Sequence, residues 1–154
     1  MTYQIIYSSD ATIPMQTDDL EDLLEQARER NAQRGITGAL VYVDGIFLQI
    51  LEGDAGTLKS LMARIASDLR HESVTVLQEG DVPSPRFSDW TMAYISATPE
   101  QVADWLSLPG TTPAPALFDG MRRDESKVAH VARSVLSVLS ADRSDPAAGG
   151  QARA

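Results

Sequence analysis

Three polar side chains interrupt apolar patterns in the first third of the chain. Tyr7 lies in the β-rich run YQIIYSS, Asn31 continues the apolar stripe of an amphipathic helix, and Gln49 lies inside the apolar run GIFLQILEG. A carboxamide carries two N–H donors and one carbonyl acceptor, and burying a polar group without partners costs about 1–3 kcal/mol. A planar ring with carbonyl and N–H groups along one edge, such as an isoalloxazine, would satisfy both carboxamides.

Each of these residues also has an ordinary structural explanation. Tyr7 is compatible with a core aromatic residue whose hydroxyl reaches the edge of the core, and Asn31 with a local partner for the backbone near a helix end. Gln49 is compatible with a partly exposed strand position. The combination favours a common site, because the three residues fall on successive elements that the predicted topology places side by side.

The hydrophobic periodicity predicts the elements that position these residues. Strands are expected over residues 3–9, 38–43, 46–52, 73–80 and 89–96, and helices over 18–34 and 55–70. The order β-α-β-β-α-β-β is that of an α+β, ferredoxin-like fold with a five-stranded mixed sheet and two helices on one face. The dipeptide Asp44-Gly45 predicts a tight hairpin turn, and Asp54 is a suitable cap for the second helix.

Residues after position 97 are expected to form an extension. A helix that begins at Pro99 and ends near Leu108, a linker over 109–116 and an amphipathic helix over 124–140 follow from the pattern. Because both sides of the strand around Gln49 are apolar, these two helices are expected to cover the other face of the sheet. The predicted division is therefore a domain over 1–97, a helical extension over 98–140 and a disordered tail over 141–154.

The composition excludes several classes of protein. The 154 residues carry a net charge of −9, which disfavours general binding to nucleic acid or anionic membranes. No apolar run is long enough for a membrane span, and the N-terminus has no signal-peptide pattern, so we expect a cytoplasmic protein. The chain has no cysteine and two histidines, which leaves no disulfide, thiolate chemistry or histidine-rich metal site.

Two further classes fit the same predicted fold. A ferredoxin-like module that binds a small metabolite, or only oligomerises, would leave Gln49 hydrogen-bonded inside the sheet. A small enzyme would use Asp68 and His71 as an acid–base pair, but no nucleophile, metal set or phosphate loop accompanies them. Together with Arg64, these residues are also compatible with a solvated helix face.

Over residues 3–96 the chain resembles the BLUF domain, the family of blue-light sensors that use flavin. The resemblance rests on five segments in the family's order and spacing, namely IIYSS, RNAQRGITGALVY, GIFLQILEG, RIASDLRH and RFSDWTMAYIS. It implies that a flavin, usually FAD but FMN or riboflavin in some members, lies between the two predicted helices. No residue at the matching positions departs from the family pattern.

The resemblance also implies the roles of the three central residues. Tyr7 corresponds to the photoactive tyrosine that gives an electron and a proton to the excited flavin. Gln49 corresponds to the glutamine whose hydrogen bonds rearrange, by rotation or tautomerisation, toward the flavin carbonyl. Asn31 corresponds to the asparagine that bonds the carbonyl and imide edge of the ring. These steps form no covalent bond to the flavin, which is compatible with a chain that has no cysteine.

Four residues at the end of the second predicted helix correspond to further flavin contacts. Arg64 and Asp68 match polar contacts to the ring and ribityl side. Arg70 and His71 match residues near the chain portion of the cofactor. The resemblance thus implies a flavin site that extends along this helix.

The route of the signal is expected to begin at Trp90 and Met92, of which one packs near the glutamine in this family. From the last strand it would reach the helices over 98–140. This extension is too short for a cyclase, a phosphodiesterase or an ordinary DNA-binding effector domain. The chain therefore resembles the short stand-alone members, which are not enzymes, act through a separate partner protein and commonly form homo-oligomers.

Overall fold

A computed structural model describes residues 2–12 and 15–144 of the chain. The elements, in chain order, are β1 (Thr2–Ala11), α1 (Thr17–Arg34), β2 (Thr37–Val43), β3 (Ile46–Gly53), α2 (Ala55–Ala66), β4 (His71–Val82), β5 (Ala93–Ser96), α3 (Pro99–Trp105), α4 (Ala114–Arg123) and α5 (Glu125–Ser144). The strands form one sheet in the order β4-β1-β3-β2-β5. Among the strand pairings of the described residues, only β2–β5 is parallel. The predicted ferredoxin-like α+β fold with a five-stranded mixed sheet is confirmed.

The hairpin that carries Gln49 forms as its turn residues predict. Asp44 and Gly45 adopt φ angles of 49° and 82°, the left-handed values that a two-residue turn between twisted strands requires. Strand β2 also needs a glycine at position 38, because a Cβ there would lie 1.9 Å from the backbone oxygen of Ile50. The two strands therefore pair without a shift in register from Thr37 to Val43.

Strand β3 lies at the centre of the sheet and is buried on both surfaces from Ile46 to Glu52. We call the surface covered by α1 and α2 the first face, and the surface covered by α3, α4 and α5 the second face. The core of the first face contains Ile5, Tyr7, Leu24, Leu40, Phe47, Leu51, Leu58, Leu61 and Ile65. The core of the second face contains Ile6, Val41, Leu48, Ile50, Phe87, Trp90, Val102, Leu117, Phe118, Met121, Val131, Val135 and Leu139.

The second face is covered by three helices rather than by the predicted two. Helix α4 begins at Ala114, inside the segment that was expected to be a linker. Its prolines suggested a loop, yet proline fits the first turn of a helix because the N–H groups there have no intrahelical partner. Helix α5 continues to Ser144, into the segment predicted to be a disordered tail. The rest of that tail lies outside the described residues.

Two of the other boundaries that differ from the prediction lie near the proposed site. Helix α2 ends at Ala66 instead of residue 70, so that Asp68 lies in the following turn and Leu69 is 89% exposed. Strand β5 begins at Ala93 instead of residue 89. None of the helices in the described part of the chain is both long and apolar enough to cross a membrane.

Candidate functional site

Strand register places Tyr7 and Gln49 directly opposite each other on the first face. The two residues are partners in the antiparallel β1–β3 ladder, and both are buried. The Tyr7 hydroxyl donates a hydrogen bond to Gln49 Oε1. The pairing of β1 with β4 shifts register between Ile6 and Tyr7, an irregularity of the kind that re-aims a side chain beside a site.

Met92 sets the orientation of the Gln49 amide. Gln49 Nε2 lies 3.6 Å from Met92 Sδ, a distance that fits a weak N–H···S hydrogen bond. A thioether sulfur accepts hydrogen bonds and donates none, whereas the hydroxyl of Tyr7 can donate. The carbonyl of Gln49 therefore faces Tyr7 and its N–H group faces Met92.

Asn31 connects helix α1 to residues 86–92, which we call the pre-β5 segment. Asn31 is fully buried, and its Nδ2 donates to the backbone oxygen of Thr91 at 2.6 Å. Its Oδ1 accepts from Arg30 Nε at 3.3 Å. Arg28 Nε adds a hydrogen bond of 2.9 Å to the backbone oxygen of Met92. Helix α1 thus holds the end of the segment that brings Met92 to Gln49.

A cavity of about 50 Å³ lies between α1, α2 and the first face, beside the Tyr7–Gln49 pair. Its apolar lining comes from Leu23, Ala27, Leu40 and Ile65, and its polar lining from Tyr7, Gln26, Arg30, Gln49, Asp68 and Arg70. Apolar walls with a few convergent polar groups are typical of small-molecule binding sites. The donors and acceptors at its polar end fit the carbonyl and N–H edge of a flavin.

The polar end of the cavity is organised by an ion pair. Arg70 Nη2 lies 2.7 Å from Asp68 Oδ2, and Arg70 Nη1 donates to Gln26 Oε1 at 3.1 Å. The hydrogen bond that Arg70 donates to Asp68 raises the pKa of the Arg70 guanidinium. Burial lowers the pKa of Arg30, which lies on the same side of the cavity. The site therefore offers cationic donors next to apolar walls.

The phenol of Tyr7 is held in its neutral form. Burial raises the pKa of Tyr7 well above its ordinary value, and the nearby Arg30 opposes part of this increase. A buried phenolate would lack the hydration that stabilises its charge. Tyr7 is thus a proton donor to Gln49 rather than a phenolate at neutral pH.

The structure brings some of the predicted site residues together and separates others. The cavity is lined by Tyr7, Gln49, Asp68 and Arg70. Asn31 contacts the lining residue Arg30, and Met92 contacts the lining residue Gln49. Arg64 is exposed and lines a separate groove with Arg34 and Asp54. The side chain of His71 lies outside the described part of the chain.

The relation of Trp90 to Met92 corrects the prediction. The alternation of a strand over 89–96 placed both side chains on one face, but residues 90–92 precede β5 and lack strand geometry. Met92 accordingly packs in the core of the first face, whereas Trp90 packs in the core of the second face beside Phe87. Met92 is therefore the member of the pair that contacts Gln49.

Sequence reasoning missed Gln26 and Arg30 on helix α1. These residues are four apart and therefore lie on the same side of the helix as the neighbouring Leu23 and Ala27. Polar residues on a helix are usually solvated, so these two gave no reason to expect a site. The available signal was their spacing next to Asn31, since a polar i, i+4 pair beside a buried carboxamide marks one side of a polar cavity.

Comparison with known proteins identifies the class of this site. The family model of BLUF, sensors of blue-light using FAD, matches residues 2–93. Since the match covers more than half of the chain, the protein belongs to the BLUF family, a family of flavin-binding blue-light sensors.

Curated relatives share the same region. The photoactivated adenylate cyclase subunit beta of Euglena gracilis is 42% identical over 104 residues, which cover 64% of this chain and 11% of the relative. The corresponding subunit of Euglena longa is 38% identical over 100 residues, with the same coverage. The chain thus spans about a tenth of the length of these relatives.

Solved structures share the fold. The dark-state structure of BlrB, a BLUF protein, has a TM-score of 0.69 and 26% identity, and the match covers 90% of this chain and 97% of that chain. Klebsiella pneumoniae BlrP1 with FMN and cyclic diGMP has a TM-score of 0.58 and 33% identity, and the match covers 62% of this chain and 26% of that chain. The likeness to BlrB extends into the helices of the second face.

Proposed function

We propose that this protein is a blue-light photoreceptor that binds FAD between α1 and α2. The observation that carries the proposal is the chain of contacts from Tyr7 through Gln49 to Met92, buried beside a cavity with apolar walls and a polar end. The description of the family favours FAD, and FMN is the alternative because the BlrP1 neighbour contains it.

Five polar residues would hold the flavin. Gln26, Arg30, Asp68 and Arg70 present donors and acceptors at the polar end of the cavity. Asn31 lies directly behind Arg30 and would orient it toward the ring or bond the ring itself. Arg64 and His71 remain proposed contacts to the outer part of the cofactor.

The photochemistry requires a donor and a side chain that can record its action. A bound flavin supplies absorption of blue light and, once excited, the capacity to accept an electron. Tyr7 is the donor in the chain, and its proton moves along the existing hydrogen bond to Gln49 Oε1. Return of the electron and proton would leave the Gln49 amide rotated or tautomerised, with a changed hydrogen bond toward the ring.

The signal would leave the site through Met92, because its sulfur contacts the amide of Gln49 and the next residue begins β5. From β5 the chain continues into α3, α4 and α5. These helices pack against the second face of the sheet in one hydrophobic core. A rearranged hydrogen bond contributes about 0.5–1.5 kcal/mol, enough to change the population of a surface conformation. We propose that the outer surface of these helices communicates with a separate protein partner, in a homo-oligomer of the chain.

An absorption spectrum before and after blue illumination tests the proposal. The purified protein is expected to be yellow, to release FAD on denaturation and to show a small, reversible red shift of the flavin band. Tyr7→Phe should bind the flavin and lose the shift. A colourless protein that FAD does not reconstitute would overturn the proposal, and a Tyr7→Phe protein that still shifts would exclude the proposed mechanism.

A further inference from the structure

A buried carboxylate lies on the second face, on the same strand as Gln49. Glu52 is 1% exposed. Its Oε2 accepts a hydrogen bond of 2.9 Å from Gln4 Nε2, and its Oε1 accepts bonds of 2.8 Å from the backbone N–H groups of both Arg86 and Phe87. A carboxylate is tolerated in a core only when such donors replace water. Its position is therefore closely specified by these three bonds.

The two backbone donors begin the pre-β5 segment, and Met92 ends it. Between these points, the backbone oxygen of Trp90 accepts from the N–H of Gly38 at 3.0 Å. The segment is thus held to β3 at its beginning, to β2 in its middle and to α1 at its end. The first two N–H groups of the segment are those of Arg86 and Phe87. Among the described residues, Glu52 is the only one whose side chain is observed to accept hydrogen bonds from them.

The contact between Gln49 and Met92 is weaker than any of these attachments. Hydrogen bonds to a carboxylate are short and strong, whereas the contact between Gln49 Nε2 and Met92 Sδ spans 3.6 Å to a weak acceptor. The stronger attachments therefore decide where the sulfur lies. Arg28 and Asn31 hold the end of the segment from α1. Glu52, which holds its beginning, and α1 therefore together determine the position of Met92 relative to the Gln49 amide.

We propose that Glu52 is a positioning residue for the photochemical site. From the opposite face of the sheet, it fixes the pre-β5 segment so that the sulfur of Met92 lies against the amide of Gln49. Its effect on the light response rests on the proposed function, whereas its effect on the position of Met92 does not.

The test combines a structural and a photochemical measurement on the full chain, purified and supplied with FAD. Glu52→Leu removes the acceptor for both N–H groups. We expect the ¹³C-methyl resonance of Met92 to shift, and the rate of dark recovery after a blue pulse to change at least fivefold. Assignment of the resonance uses Met92→Leu.

Two matched variants separate positioning from general destabilisation. Glu52→Gln retains an oxygen for both N–H groups, and the Gln4 amide can turn to accept from the new N–H₂ group. The Met92 resonance should therefore keep its wild-type position, and the recovery rate should stay within twofold of the wild type. Gln4→Leu removes the third bond to Glu52 without touching the pre-β5 segment, and should also stay within twofold. If Glu52→Leu does not fold, Glu52→Asp carries the test, since it retracts the acceptor by one methylene and should change both measurements in the same direction.

Two results would overturn the proposal. One is a folded Glu52→Leu (or, in its place, Glu52→Asp) protein whose Met92 resonance and recovery rate match those of the wild type. The other is a Gln4→Leu protein altered as strongly as Glu52→Leu. A wild-type protein without a red shift would instead contradict the proposed function, and the Met92 resonances of the same samples would still decide the role of Glu52.

Discussion

The two faces of the sheet bury different kinds of side chains. The first face buries Tyr7, Asn31 and Gln49 near its centre, and a cavity lies beside them. The second face is covered by three helices whose inward residues are apolar, and its buried carboxylate, Glu52, lies toward the end of β3. The same central strand contributes to both, because its side chains alternate between them.

This difference indicates that the second face contributes mainly to the stability of the fold and the first face mainly to the polar site. Polar groups buried on the first face gain little net stability, since each hydrogen bond replaces one made to water. Apolar side chains on the second face contribute about 25 cal/mol for each Å² removed from water. We expect substitutions of the apolar residues on the second face to change the free energy of unfolding, and substitutions of the polar residues on the first face to change the spectrum.

The largest effect is expected for Phe118→Ala in helix α4. Phe118 is fully buried in the core of the second face, and its truncation should lower the free energy of unfolding by about 3–5 kcal/mol. Urea denaturation followed by circular dichroism measures the change. Tyr7→Phe is the comparison on the first face, and should cost about 1–3 kcal/mol because Gln49 Oε1 loses its donor. Equal losses for the two variants would contradict the division between the faces.

A second pair of substitutions compares neighbouring residues that face opposite cores. Trp90→Phe should lower the free energy of unfolding by about 1–3 kcal/mol and leave the dark flavin spectrum unchanged. Met92→Leu conserves volume and should cost less than about 1.5 kcal/mol. Because it removes the sulfur that orients the Gln49 amide, it should shift the dark flavin band. A spectral change in Trp90→Phe as large as that in Met92→Leu would place both residues in the photochemical site.

The site was predictable where it depended on strand register. The apolar alternation around Gln49 and the Asp44-Gly45 turn fix which residues of the hairpin share a face, and Tyr7 follows from the same period on the first strand. The positions of Trp90 and Met92 were not predictable in this way, because residues 86–92 are held by side-chain and backbone hydrogen bonds instead of a strand ladder.

The fold shows the same limit at its C-terminal end. Amphipathic periodicity identified α5, and a proline at the first helical position identified the start of α3. Helix α4 was not predicted, because Pro113 and Pro115 favoured a linker. Proline is nevertheless compatible with the start of a helix. The role of Arg30 was not predicted, because a charged residue on a helix is usually solvated. In the folded protein Arg30 is partly buried, and this burial lowers the pKa of its guanidinium.

Tyr7 should also give the first face a characteristic dependence on pH. Burial raises the pKa of Tyr7 above that of an unfolded tyrosine, which is near 10. Above about pH 10 the unfolded chain loses this proton while the folded chain keeps it, so the free energy of unfolding falls by up to about 1.4 kcal/mol per pH unit. Below about pH 9 the contribution is constant.

Comparison of the wild type with Tyr7→Phe isolates this contribution. The raised pKa values of Tyr3 and Tyr94 persist in the variant, so only the part of the slope due to Tyr7 should disappear. Urea denaturation between pH 8 and pH 11 measures both curves. Parallel curves above pH 10 would indicate that the phenol of Tyr7 ionises as readily in the folded chain as in the unfolded one.

The smallest effect on stability is expected for Asp68→Asn, although it changes the proposed flavin site. Asp68 and its partner Arg70 have side chains that are 27% and 42% exposed, and ion pairs of this kind contribute about 0–1 kcal/mol. Asp68→Asn keeps one acceptor oxygen but removes the negative charge and the second oxygen, so Arg70 is held less firmly beside Gln26 and the dissociation constant for FAD should rise several-fold. Asp119→Asn is the matched control, because it breaks the exposed pair with Arg122 on α4, remote from the cavity. It should leave FAD affinity unchanged, as measured by equilibrium dialysis. If both variants released FAD equally, the polar end of the cavity would have no specific role in holding the flavin, and the contrast between the two faces would lie in the Tyr7–Gln49 pair alone.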